Sequence, residues 1–336
     1  MADLGVGGGP LKTALVTGGR GFVGAWLCRA LLERGVAVVS LDRRMPRERP
    51  STLALLGIGS DVVEEAGSLV DRALLDRVLT EHDVDAVFHL AAETIVGTVR
   101  DDPAAAFDTN VRGTWTVLES CREHDVEKVV FASSDKAYGA HAELPYREDF
   151  ALQPTAPYEA SKAAADLIAR SYWPSYGLPV AVTRFANIYG GGDLNFSRLV
   201  PEAACAAVDG RPPVLRSDGS PVRDLLHVKD AAAAYLAIAD HLDRDEVRGE
   251  AFNAGGERPY SVLEIVTTIA RLAGTGVEPD VRGAGNPAGE IDRQFVDAAK
   301  LRERCGWRPR IGLEDGLGRT LDWYRAHPEV RPPVSP

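Results

Sequence analysis

Tyr158 and Lys162 stand four residues apart in Tyr-Glu-Ala-Ser-Lys, at the head of an alanine-rich run. On a helix that spacing puts both side chains on one face and brings an ammonium near a phenol. A free phenol titrates near pH ~10, about three units too high for a base at neutral pH. Each unit corresponds to about 1.36 kcal/mol, so the site must favour the phenolate by about 4 kcal/mol. One cation about 4 Å away supplies roughly that amount at an effective dielectric of about 20. The pair is thus a candidate proton-transfer device, although any helix can carry the same spacing as a solvated pair. Just upstream, Ser133, Ser134, Asp135 and Lys136 add two hydroxyls, a carboxyl and a second ammonium.

Those groups need a scaffold, and the first half of the chain supplies its pattern. The apolar run Leu11 to Val16 is followed by Thr-Gly-Gly-Arg-Gly-Phe-Val-Gly, residues 17–24, and then by a helical pattern. Gly18, Gly21 and Gly24 allow a tight turn and close approach of the backbone to a pyrophosphate, which would rest on the amides of the helix N-terminus at Phe22 and Val23. Gly19, Gly21 and Gly24 also fit G-x-G-x-x-G. A second buried strand, Ala37 to Leu41, ends at Asp42, where a carboxylate would bind ribose hydroxyls. Asp42 favours NAD over NADP because it would repel a ribose phosphate. Arg43 and Arg44 could grip such a phosphate, or could form an exposed, solvated pair.

Strands and helices continue to alternate through a helix at Asp71 to Thr80, a strand at Ala86 to Ala92, a long helix at Pro103 to His124 and a strand at Lys128 to Ala132. Such alternation implies an α/β fold, a doubly wound parallel sheet with ligands at the carboxyl ends of the strands. Gly18, the Leu90-Ala91-Ala92 segment and Ser133-Ser134 fall at such ends and should meet across one crevice.

The 336 residues exceed the ~100–200 typical of one domain, so one large or two joined domains are expected. The net charge of −11 argues against nucleic acid as a partner, since phosphate binding calls for a basic face. No apolar run reaches the ~20 residues that span a bilayer, and the N-terminus has no secretory pattern. Cys28, Cys121, Cys205 and Cys305 show no metal-ligand spacing, so no metal is expected and they read as buried small residues of a cytoplasmic protein.

With these motifs in order, the chain resembles the extended short-chain dehydrogenases/reductases that act on nucleotide sugars. The likeness runs from the glycine turn through HLAAE (89–93), TNVRGT (109–114), SSDKAYG (133–139), YEASK (158–162), RFANIYGGGD (184–193) and VRDLLHV (222–228) to CGWRP (305–309). It implies a Rossmann-type fold, bound NAD, and a nucleotide-diphosphate sugar as substrate. Tyr158 would be the acid/base, Lys162 its partner and ribose ligand, and Ser134 the hydroxyl bonded to the reacting oxygen, with Ser133 second. Asn110 would support the site, and Glu93, Asn187, Arg223 and Arg293 would contact substrate. Leu69 stands where the family often contacts adenine, but Ser68-Leu69 replaces the usual Asp-Ile or Asp-Leu. The triglycine followed by Asp193 resembles CDP-glucose 4,6-dehydratases.

The resemblance also implies an interleaved layout. Residues 1–10 form a lead-in, 11–186 the NAD-binding domain with 222–248 returning to it, 187–221 and 249–330 a smaller substrate lobe, and 331–336 a tail. The long helices Pro103 to His124 and Thr155 to Tyr176 would pack as a homodimer bundle, or else merely cover the sheet of a monomer. Within the family, a 4,6-dehydratase must protonate a departing carbon 6 hydroxyl, which suits Asp135, with Lys136 as the carbon 5 base. A 4-epimerase needs no such acid and is the alternative. A non-catalytic dinucleotide sensor would have no use for Ser134, Tyr158 and Lys162 together.

Overall fold

The computed structural model describes residues 11–43, 50–256, 258–285 and 291–332. The residue-1–10 lead-in, Arg44 and most of the 331–336 tail lie outside the described residues. Seven strands form one parallel sheet: β1 Thr13–Thr17, β2 Ala37–Asp42, β3 Val62–Ala66, β4 Ala86–His89, β5 Lys128–Ala132, β6 Val180–Phe185 and β7 Ala251–Ala254. Their order across the sheet is β7-β6-β5-β4-β1-β2-β3, so the winding reverses between β1 and β4. Reversal opens a crevice beyond the carboxyl ends of those two strands.

Alternation along each strand feeds two cores. Ala14 and Val16 of β1 pack with Leu27 and Leu31 of α1 (Phe22–Leu32) and with Ala231, Ala234 and Ile238 of α7 (Val228–Asp240). Leu15 faces the opposite side. There it meets α2 (Arg72–Glu81), α4 (Gly113–Glu123, which follows the short α3, Pro103–Phe107) and α5 (Pro157–Tyr176) through residues such as Leu75, Val117 and Ala169. A third core joins α6 (Leu199–Val208), α8 (Val262–Ala273) and α9 (Leu313–Ala326) through Val200, Ile265 and Leu317.

Two sequence expectations change here. Residues 249–330 were all expected in the substrate lobe, yet Ala251–Ala254 pairs in parallel with β6 and forms an edge of the main sheet. Its four residues are buried, because Phe252 and Ala254 complete the α1/α7 core. The single helix expected over Pro103 to His124 is interrupted by a wide π-type turn at Asp108–Arg112. Asn110 causes a local inward pull: its amide oxygen accepts from the Glu93 amide at 2.7 Å, and its nitrogen donates to the Glu93 carbonyl at 3.0 Å and to Ser161 Oγ at 2.9 Å. Such bulges recur at functional sites.

Candidate active site

The glycine turn follows β1 directly and is packed too tightly for side chains. Gly18 has φ +78°, and a Cβ there would lie 2.9 Å from the Ala91 amide; at Gly24 it would lie 2.1 Å from the Gly18 carbonyl. Gly21 caps α1 without any side-chain hydrogen bond, leaving the first amides of that helix, around Phe22 and Val23, open to an anion. At the end of β2, Asp42 accepts from the Arg20 amide and from Ser40 Oγ, both at 2.9 Å. Burial raises its pKa to about 6 despite those bonds. A Cβ-free cradle, uncapped amides and a carboxylate at the next strand end fit a dinucleotide. Arg43 is ion-paired with Glu93, so it is engaged elsewhere.

Ala91 and Ala92 follow β4, with the Ala91 amide bonded to Thr17 Oγ1 at 3.2 Å. Beneath them His89 sits between Thr17 and Thr114 at 2.7 and 3.1 Å. Burial drives its pKa down to about 3, so it is a neutral structural imidazole. Leu69 is buried beside Gly113, within the core rather than on the cavity wall.

Ser133, Ser134, Asp135, Lys136, Tyr158 and Lys162 line one cavity of about 720 Å³, together with Val23, Leu90, Asn187 and Arg223. α5 places Tyr158 and Lys162 because it starts at Pro157 and Glu159 accepts from the Thr155 and Ala156 amides at 3.2 and 3.4 Å. A buried ion pair moors the same helix: Arg184 of β6 meets Asp166 through two bonds of 2.8 Å. Ser134 Oγ receives the Lys136 amide at 3.2 Å and reaches Asp135 Oδ1 at 3.3 Å. Asp135 is 2% exposed, and its Oδ2 has no hydrogen-bond partner among the described residues. Burial lifts its pKa to about 7, with the Lys136 charge opposing and Asp224 adding to the rise.

Three placements differ from expectation. The Lys162 ammonium donates to the Ala132 carbonyl at 2.9 Å, and burial raises the Tyr158 phenol to about 12, with the Arg198 charge opposing the rise. Glu93 does not line the cavity, because its carboxylate pairs with Arg43 and its backbone is held by Asn110. Arg293 is outside as well. Its short strand runs parallel to Val222–Arg223, and alternation buries Gln294 while turning Arg293 outward, 5.8 Å from the Phe295 ring. Arg198 and Arg216, which no motif singled out, line the cavity instead.

A doubly wound sheet with a glycine-cradled crevice and a tyrosine, serine and lysine at its mouth defines a dinucleotide-dependent short-chain dehydrogenase/reductase. Residues 14–255 match the NAD dependent epimerase/dehydratase family, and the chain belongs to it. It is 34% identical over 332 residues to a dTDP-glucose 4,6-dehydratase of Xanthomonas campestris pv. campestris, covering 94% of this chain and 93% of that protein. It is 32% identical over 333 residues to a UDP-glucose 4-epimerase of Halalkalibacterium halodurans, covering 94% and 96%. Among solved structures, the dTDP-glucose 4,6-dehydratase of Streptomyces venezuelae, solved with NAD bound, superposes with a TM-score of 0.84 at 31% identity, covering 96% of this chain and all of that one.

Proposed function

We propose that the protein removes water from a nucleotide-diphosphate hexose to give the 4-keto-6-deoxy sugar nucleotide, using bound NAD. The observation that carries this reading is Asp135, a buried carboxyl with one unpartnered oxygen and a pKa raised to about 7. Such a group still holds a proton near neutrality and stands beside Ser134, where a leaving hydroxyl needs one.

When bound, NAD would supply the hydride acceptor for carbon 4 and the hydride donor for carbon 6. Gly18, Gly21, Phe22, Val23 and Gly24 would hold its pyrophosphate and Asp42 its ribose. The Leu90-Ala91-Ala92 segment, Asn110 and Lys162 would flank the rest. Ser134 orients the carbon 4 hydroxyl and Tyr158 takes its proton. The resulting ketone acidifies the carbon 5 proton, for which Lys136 is the base only once its ammonium has given up a proton, and that proton returns to carbon 5 when the hydride reaches carbon 6. Asp135 gives its own proton to the carbon 6 hydroxyl, and water leaves. Asn187 and Arg223, on the wall of the same cavity, suit the diphosphate.

The second reading is 4-epimerisation, favoured by the likeness to the Halalkalibacterium halodurans enzyme. It leaves the acid form of Asp135 without a task. Asp135→Asn separates the two. The dehydratase reading expects sugar-nucleotide binding to persist while water loss falls about 10²-fold or more. Water loss at the wild-type rate in that variant would remove the reading.

Four buried, unpaired cysteines support a reducing compartment, the cytoplasm. No helix among the described residues is long and apolar enough to cross a membrane. Exposed Trp115 on α4 and Leu167 on α5 support a homodimer joined through those helices.

A further inference from the structure

Arg20 lies in the glycine turn, and its backbone is fixed on both sides. Its amide donates to Asp42 Oδ2 at 2.9 Å, the oxygen that also accepts from the Ser40 hydroxyl at 2.9 Å. Its carbonyl accepts from the Thr52 amide at 3.1 Å. The guanidinium reaches across to β3, where it is ion-paired with Glu64. Strand register puts Glu64 there, because Ser40 of β2 lies opposite Glu64 in the parallel sheet. Side chains two apart on a strand share a face, so Ser40, Asp42 and Glu64 stand together. That face is the one under α1, since a Cβ on Gly19 would meet both Ser40 Oγ and Cys28 Sγ of that helix.

Both bonds to Asp42 fall on Oδ2, which leaves Oδ1 for the adenosine ribose hydroxyls. A phosphate on the ribose 2′ oxygen would come up against the same carboxyl. An arginine beside the ribose is what accommodates such a phosphate. Here the nearest guanidinium, that of Arg20, is already taken by a carboxylate. Its Nε is buried and has no partner among the described residues, so an N–H remains for a further acceptor. Arg43, just past the end of β2, is paired with Glu93. Burial raises the Asp42 pKa to about 6, with Arg20 opposing the rise and Glu64 adding to it. A carboxyl that titrates so near neutrality is a weak sole guard against a phosphate.

We propose that Glu64 is a cofactor-specificity residue: by holding Arg20 in an ion pair and adding a second negative charge beside Asp42, it keeps the ribose site for NAD and closes it to the 2′-phosphate of NADP. The proposal goes beyond the reaction and applies whether the sugar nucleotide is dehydrated or epimerised.

The test reads which dinucleotide the protein retains. Purified protein is incubated with NAD and NADP at equal concentrations until the bound ratio is constant, then freed of unbound dinucleotide by gel filtration. It is denatured, and the released dinucleotides are quantified by mass spectrometry. Wild type should release mainly NAD. Glu64→Gln should shift the ratio toward NADP by about tenfold, since it removes one charge and frees Arg20. Arg20→Met should shift the ratio the opposite way, because the Glu64 charge then stands unopposed. The double variant should lose most of the NADP that Glu64→Gln gains. An unmoved ratio in folded Glu64→Gln overturns the proposal, as does a double variant that keeps the whole gain or an Arg20→Met protein that turns toward NADP. Should Glu64→Gln fail to fold by circular dichroism, Glu64→Thr, with a residue favoured in strands, makes the same comparison. A wild type that retains as much NADP as NAD would have no selectivity to explain and would overturn it too.

Discussion

Burial raises the Asp135 carboxyl to about 7, whereas an unfolded aspartate titrates near ~3.9. Between those values the folded protein holds a proton that the unfolded chain has lost, so stability falls as pH rises through the window. Asp135→Asn removes this effect. Its melting temperature should exceed that of wild type at pH ~8, by about 1–3 kcal/mol of stability, and match it near pH ~4. An equal loss at both pH values, followed by circular dichroism, would contradict the assignment of a strained acid. At this scale much was legible in the sequence. Ser134, Asp135, Tyr158 and Lys162 line one cavity because SSDKAYG follows a buried strand and YEASK begins a helix. What the spacing could not reveal was direction. A lysine four residues from a tyrosine can reach a backbone carbonyl instead, and Arg198 belongs to no pattern because it reaches the site through tertiary packing alone.

Helix α5 carries the proposed base, and the buried Arg184–Asp166 pair fastens it to β6. Arg184 also donates to the Tyr138 hydroxyl at 3.1 Å and the Glu148 carbonyl at 3.2 Å. Arg184→Met would leave the Asp166 charge buried without its partner, and urea unfolding should show a loss of about 3–5 kcal/mol. A loss under ~1 kcal/mol would mean the pair is dispensable. The glycine turn makes a different demand. Gly24→Ala would drive a Cβ into the Gly18 carbonyl, so the purified variant should release little NAD on denaturation while wild type releases a near-stoichiometric amount. Retention equal to wild type would disprove the cradle. The turn was readable because its glycines, strand and helix are contiguous. The break at Asp108–Arg112 was not, because the groups that pull Asn110 inward, Glu93 and Ser161, come from other segments.

Across the whole molecule, the reversal between β1 and β4 opens the crevice in which the dinucleotide cradle meets the cavity wall. The alternation of apolar strands and amphipathic helices made this half legible. The second half was harder, since β7 is a short apolar run set among glycine-rich segments and only its pairing with β6 reveals its place. On the outer surface, Trp115 is 44% and Leu167 58% exposed. If α4 and α5 form a dimer face, Leu167→Glu should shift sedimentation from dimer to monomer; a wild-type monomer at micromolar concentration would refute that arrangement. The central claim, 4,6-dehydration, is tested most directly by weighing products. Wild-type protein is incubated with CDP-, UDP-, dTDP- and GDP-glucose, and each mixture is analysed by mass spectrometry. The account predicts that one of these sugar nucleotides becomes lighter by one molecule of water. A product of unchanged mass with inverted carbon 4, and no dehydrated species from any of the four, would contradict it.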